Sequence, residues 1–317
     1  MKIELSISSS TTTYLPGIAE GVSVEWERKG TPGKLTFSML KDKNIKVEEG
    51  NLVKLKINDT GFFQGYVFTQ KQTKDDLIQV TAYDSLRYLK NKDTYFLENE
   101  TASDLLKRII ADFQLKAGSI SDTGYKIAKY TLRNKTLFDM IQETLDLTVA
   151  NNNKLFILYD NFGVLDLKNI NDLKLGLVIG DNTAEDYDYS TSIDNNTYNQ
   201  IKLAYSNDKT GKDEIYKALD SSNQKKWGLL QHYDSIDEKT NGKAKADTLL
   251  KFYNVLGKSL SVRNALGDIS VKAGFTVSVV LKDLDINTFM LVERVKHTFN
   301  DNEHLMDLSL KGVGAYE

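Results

Sequence analysis

The 317-residue chain contains no cysteine, which excludes a disulfide framework, a thiolate metal site and a cysteine nucleophile together. No apolar stretch approaches the ~20 residues that span a bilayer. The opening MKIELSISSSTTTYLPG also lacks the roughly 7–15-residue apolar run of a secretory signal. No membrane partner is expected, and exit from a cell would be by lysis or as part of a particle. Charge of one sign is missing too: 41 basic against 44 acidic residues give a formal net charge of −3. A dedicated nucleic-acid binder carries a basic surplus that displaces counterions from phosphates, so no specific nucleic-acid binding is expected. Histidine is scarce. His232, His297 and His304 are the three in the chain, and none sits at a metal-ligand spacing such as H-E-x-x-H. There is no P-loop and no G-x-G-x-x-G.

What is present is ordinary in bulk, at 40% hydrophobic and 27% charged residues, and long enough for two or three domains. The informative feature is a repeat. Val47, Gly50, Val53, Leu55 and Ile57 line up with Val271, Gly274, Val277, Val279 and Leu281. Each set precedes an aromatic-containing return strand and then a third alternating strand, with Ile78, Val80 and Ala82 or Met306, Leu308 and Leu310. A duplicated β unit lets n chains present 2n equivalent modules around an axis, which points to assembly rather than catalysis.

Residues 1–97 are β-rich. Val22, Val24 and Trp26, then Leu35, Phe37 and Met39, alternate with polar residues across the turn Arg28–Gly33. The period changes near Asn99, where Ala102, Leu105, Leu106, Ile109, Ile110 and Phe113 fall at helical spacing behind Thr101 and Asp104. Thr136 and Asp139 open a second helix with Leu137, Met140, Ile141 and Leu145 on one face. Asp160-Asn161-Phe162-Gly163 between LFILY and VLDL predicts a hairpin, so residues 98–178 form a small α+β module. The acidic stretch 181–196 reads as a solvated linker. Strand-like residues 198–205 then reopen a β domain, 179–317, interrupted by a helical insertion around 212–257. The inserted helix carries Ala246, Leu249, Leu250 and Tyr253 and is expected to end at Gly257.

The candidate chemistry is weak at every position. Asp122-Thr123-Gly124 matches the aspartic-protease tripeptide, but its setting between two helices, after Ser119, Ile120 and Ser121, favours a plain turn. Asp283, Asp285 and Asn287 imitate a calcium loop, yet Thr288 and Arg294 stand where glycine and glutamate are required. A hairpin tip is the better reading. Ser222-Asn223-Gln224-Lys225 fits S-x-x-K without the companion motifs of that enzyme class. His297 and His304 flank a turn, where structural or exposed roles are expected. No catalytic residue, cofactor-binding residue or metal ligand is assigned, and no cofactor is expected.

Several segments in order carry a resemblance. They are Val24-Glu25-Trp26, Gly50-Asn51-Leu52-Val53-Lys54-Leu55, Phe63-Gln64-Gly65-Tyr66-Val67, Thr81-Ala82-Tyr83-Asp84 and Thr101-Ala102-Ser103-Asp104. Asp122-Thr123-Gly124-Tyr125, Tyr198-Asn199-Gln200-Ile201-Lys202, Gly228-Leu229-Leu230-Gln231, Gly267-Asp268-Ile269, Gly274 and His304-Leu305-Met306-Asp307-Leu308 follow. Together they resemble the XkdQ/YqbQ-type phage tail proteins over nearly the whole chain. The resemblance implies a mainly β fold, with two tail-tube-like antiparallel β-barrel domains flanking a small helical α+β module that is LysM-like in some relatives. It further implies a structural, non-enzymatic baseplate hub of a contractile phage tail or tail-like bacteriocin, assembled in the bacterial host cytoplasm. The expected form is a homotrimer. Its partners would be the hexameric tail tube protein, the trimeric spike protein and other baseplate components, and in a phage its bore would pass DNA. The alternatives are a peptidoglycan-degrading baseplate enzyme and a peptidoglycan-binding module.

Overall fold

The computed structural model describes all residues except 73, 75, 181, 182, 195, 208–211, 237–240, 302 and 314–317. The first β unit comprises β1 (Ile3–Ser8), β2 (Thr13–Tyr14), β3 (Val22–Glu27), β4 (Lys34–Leu40), β5 (Leu52–Ile57), β6 (Thr60–Gln72) and β7 (Leu77–Tyr83). Val22, Val24, Trp26, Leu35, Phe37 and Met39 are all buried, while the residues between them keep surface exposure. The alternation therefore sets the face. Asn58 and Asp59 both take left-handed φ, 47° and 64°. This is the twist that lets a two-residue turn join β5 to β6 without splaying them.

The middle module contains β8 (Lys92–Glu100), α1 (Ala102–Asp112), β9 (Ala117–Ile120), β10 (Ile127–Thr136), α2 (Leu137–Asn152), β11 (Phe156–Asp160) and β12 (Leu165–Asn169). Both helices start where their caps predict. The Thr101 hydroxyl accepts from the Asp104 amide at 3.1 Å, the Asp104 carboxylate accepts from the Thr101 amide at 3.1 Å, and Thr136 accepts from the Asp139 amide at 3.1 Å. Leu105, Leu106, Ile109, Met140, Ile141 and Leu145 bury themselves against β8, β10 and the β9–β12–β11 sheet. The same hydrophobic cluster takes in Leu86 and Leu89, just beyond β7.

The remaining elements are β13 (Lys174–Gly180), β14 (Asp186–Ser192), β15 (Gln200–Asn207), β16 (Lys212–Leu219), α3 (Ser221–Trp227), β17 (Gln231–Ser235), α4 (Gly242–Tyr253), β18 (Gly257–Leu266), β19 (Thr276–Leu281), β20 (Ile286–Asn300) and β21 (Glu303–Gly312). Three sequence readings change here. The acidic stretch is not only a linker, because β14 pairs with β18 and turns Tyr187 and Tyr189 onto the core while Asp186 and Asp188 face Arg263. The Asp-Tyr-Asp-Tyr alternation overrides the acidic composition. Residues 198–205 do not reopen the large sheet. β15 pairs with β16 and β17 in a separate three-stranded sheet, and Ile201 and Leu203 pack with Ala246 and Leu249 of α4 in their own small core. Finally, α4 stops at Tyr253 with Asn254 as its cap, and Gly257 opens β18 instead. Asn254 is held by Asp220 and Asn223, which fixes the earlier end.

The duplication is real in three dimensions. The first unit runs β3–β4–β7–β6–β5–β1 and the second β14–β18–β21–β20–β19–β13, position for position. The outermost pair alone differs in sense, β1·β5 being antiparallel and β13·β19 parallel. Val53, Leu55 and Ile57 face the core, as do Val277, Val279 and Leu281, so the register is kept in both copies. A bulge falls at the same place in each, between Val67 and Thr69 and between Val292 and Arg294. The hairpin tip is the main local difference: Asn58–Asp59 in one copy, Lys282–Asp285 in the other.

The mainly β class with an α+β insert stands, whereas the pairing does not close two separate barrels among the described residues. β3 instead lies along the second half of β20, from Arg294↔Glu27 to Phe299↔Val22, on the side that β19 occupies farther back. The two copies thus merge into one 13-stranded sheet over one core. The physical reason is the length of β20. Its 15 residues outrun β19 and leave an open edge that β3 fills.

Candidate functional site

No group of histidine, aspartate and glutamate among the described residues is placed to hold a metal ion. Two buried carboxylates and a half-buried lysine lie instead where the two β units meet the middle module. Asp84 directly follows β7, and its Oδ1 accepts from the Leu86 amide at 3.1 Å, while Oδ2 has no hydrogen-bond partner among the described residues. Asp160 ends β11 and accepts from the amides of Gly163 at 2.7 Å and Ser85 at 3.1 Å. Lys272 comes from the second copy. Its Nζ donates to the Asp160 carbonyl at 3.1 Å and lies 5.4 Å from the Trp26 ring centroid.

Burial, reinforced by the neighbouring Asp160 charge, holds the Asp84 carboxyl well above the ordinary range. Burial also raises Asp160 and lowers the Lys272 ammonium. Burial thus disfavours the charged form of all three groups. Four surface cavities have other linings, and the three residues fasten three parts of the chain together.

A second buried pair was missed by sequence spacing. His297 Nδ1 and His304 Nε2 are 2.9 Å apart, and His297 Nε2 lies 3.0 Å from the Val271 carbonyl. Burial, then the His304 ring, pushes His297 down to about 3; burial pushes His304 down to about 4. Both rings are neutral at ordinary pH and belong to an aromatic stack with Trp26, Phe62 and Phe299. The signal was available in principle, since residues flanking a tight β20–β21 turn at nearly matching distances become cross-strand neighbours. His232 instead packs against Tyr198 and Tyr253 in the inserted unit.

The other motifs resolve as local structure. Asp122 caps its own turn by accepting from the Gly124 amide at 2.9 Å, and Thr123 is buried against Ser103. Asp283 and Asp285 lie in the β19–β20 tip, and Ser222 and Lys225 lie in α3, none of whose residues is buried. A cleft of about 600 Å³ runs between α2, α4 and the end of β21, with Val149, Phe252 and Leu256 inside and Lys29, Lys258 and Lys311 among its lining. Nothing there pairs a nucleophile with a base.

The groups left available are backbone ones. β14 ends the large sheet, and among the described residues one of its edges is unpaired. The second half of β6, Thr69–Gln72, pairs with β7 on one side and with no described strand on the other. Such edges are templates for another chain.

Comparisons with known proteins place the chain in a family and show which solved folds it is similar to. The family described as YQBQ-like matches residues 22–311. The phage-like element PBSX protein XkdQ of Bacillus subtilis (strain 168) is 30% identical, covering 97% of this chain and 96% of its own length. In fold, the chain is similar to the 43 kDa tail protein of prophage MuSo2 from Shewanella oneidensis, with a TM-score of 0.72 at 12% identity over 99% of this chain and all of that one. It is also similar to the E. coli c3393 protein, at a TM-score of 0.58 and 10% identity over 97% of this chain and 76% of that one. That protein is described as a type VI secretion component with structural similarity to the T4 bacteriophage tail proteins gp27 and gp5.

Proposed function

The chain belongs to the YQBQ-like family, and from that premise we propose that it is a structural protein of a phage tail or tail-like particle, serving as the baseplate hub. The observation that carries this reading is the duplicated β unit with one strand order in both copies. Two tube-like units per chain let three chains present six to a hexameric tail tube while keeping three-fold symmetry for a spike below. The division into a first β unit, a middle module and a second β unit, near the bounds 1–97, 98–178 and 179–317, is part of this proposal, with β8 going to the middle module and β13 to the second unit. So are the homotrimer, the tube and spike as partners, and a place in the tail of a virion or bacteriocin. Support comes from the likeness to a secretion component described as similar to tail proteins, and from buried polar residues that fasten units together.

Native mass spectrometry of the chain co-expressed with its neighbouring tail genes tests the reading. Three copies per complex are expected, and two or four would overturn it. A lytic band from the purified chain on a cell-wall zymogram would overturn the non-enzymatic part.

A further inference from the structure

The internal joint between the copies supplies a template. β3 of the first copy pairs with β20 of the second beyond the end of β19. By shared strand order and bulge position, β14 is the counterpart of β3 and β6 the counterpart of β20. The equivalent joint, β14 against the second half of β6, is not made within the chain, and its two halves are the open edges described above.

The register can be transferred. Val67 corresponds to Val292 through the shared bulge, so Arg294, Val295, Lys296 and His297 correspond to Thr69, Gln70, Lys71 and Gln72. Leu35 and Leu260 pair with the equivalent Ala82 and Leu310, which sets Val24 against Tyr189 and Glu27 against Ser192. We propose that β14 of one copy of the chain pairs antiparallel with Thr69–Gln72 of the next copy, with Thr69 opposite Ser192, Gln70 opposite Thr191, Lys71 opposite Ser190 and Gln72 opposite Tyr189.

Several features of the two edges fit a second copy. Thr69, Lys71, Gln72 and Ser190–Ser192 are exposed, and the internal β3·β20 joint already uses the same geometry. Charge complements it: Lys71 would lie diagonally beside Asp188, much as Arg294 meets Glu25 and Glu27 across the internal joint. Each chain has one edge of each kind, so the contact is head-to-tail and consumes both edges only when a ring closes. The inference rests on the hub reading and specifies the contact that would build it.

Absence of cysteine makes the test direct. Lys71→Cys and Ser190→Cys in one chain place two sulfurs on directly opposed residues, whose Cα atoms would be about 5 Å apart, within disulfide reach. In the assembled complex with its tail partners, oxidation should give species cross-linked up to three chains. The offset pair Lys71→Cys and Asp186→Cys, displaced by roughly 13 Å along the strand, should give none. Lys71→Glu should lower the assembled fraction several-fold, and adding Asp188→Lys should restore it. A three-copy complex without the in-register cross-link, or with the offset one, would overturn this joint and leave the hub reading intact. A wild-type chain that stays monomeric with all its tail partners would overturn both. If the cysteine pair itself prevents assembly, the charge exchange decides: no loss with Lys71→Glu, or no recovery with Asp188→Lys, overturns the joint.

Discussion

Gly50 and Gly274 hold the same backbone conformation at the same point of the two β units, with φ of 88° and 92°. The Gly50 amide donates to the Val67 carbonyl at 2.8 Å and the Gly274 amide to Val292 at 2.7 Å. The Val67 and Val292 amides donate in turn to the carbonyls of Asn51 at 2.9 Å and Phe275 at 2.8 Å. Two segments more than two hundred residues apart thus make one turn twice, and each serves as a control for the other.

The two glycines should respond differently to a methyl group. At Gly50 an added Cβ meets nothing within 4 Å, so Gly50→Ala carries conformational strain alone, about 1 kcal/mol. At Gly274 the Cβ would lie 2.2 Å from Ile157 Cγ2. Gly274→Ala should therefore cost at least twice as much in urea denaturation, and in an Ile157→Ala background, which lacks the clashing Cγ2, the added cost of Gly274→Ala should shrink towards that of Gly50→Ala.

The histidine pair should make the protein acid-sensitive. Both folded values lie below the unfolded value near 6.5, so the unfolded chain takes up protons that the native state refuses. Stability is full above pH 6.5 and falls as pH drops from there towards 4, on the order of a few kcal/mol. His304→Phe keeps an aromatic ring against Phe299 and should flatten the fall in denaturation midpoint between pH 7 and pH 5. An unchanged slope would show that the pair does not govern it.

Asp84 carries the opposite sign. Its folded value is raised, so its contribution is complete below the unfolded value near 3.8 and is lost as pH rises towards the folded one. Asp84→Asn keeps an acceptor for the Leu86 amide and removes the charge. Its melting temperature should exceed that of the wild type at pH 7 and match it near pH 3.5.

The hairpin tips are interchangeable in principle. Leu281↔Ile286 and Ile57↔Thr60 are the same closing pair around loops of different length. Replacing Lys282–Asp285 by Asn-Gly should keep the β19–β20 register and change stability by less than about 1 kcal/mol. A larger loss by thermal unfolding would mean that the longer tip is part of the fold's support.

Local chemistry was legible in the residues themselves. Alternation in Val22–Trp26 and Leu35–Met39, the caps at Thr101 and Thr136, the turn at Asp122–Gly124 and the repeat around Gly50 and Gly274 each depend on neighbours a few positions away. Their periods therefore survive in one dimension. Composition misled at 181–196, where acidic residues hid the tyrosines that seat β14, whereas propensity found the strand at 198–205 without telling which sheet it joins.

What the sequence by itself determined was the class of the fold and its duplication. Only the tertiary structure decided that the two copies share one sheet through β3 and β20, that Lys272 meets Asp160 and lies beside Trp26, and that His297 meets His304. The β3–β20 and Lys272 contacts join residues more than a hundred positions apart, and the histidines meet only once a hairpin closes. Strand edges and buried charges are satisfied by whatever the fold brings beside them, and no local pattern encodes that partner.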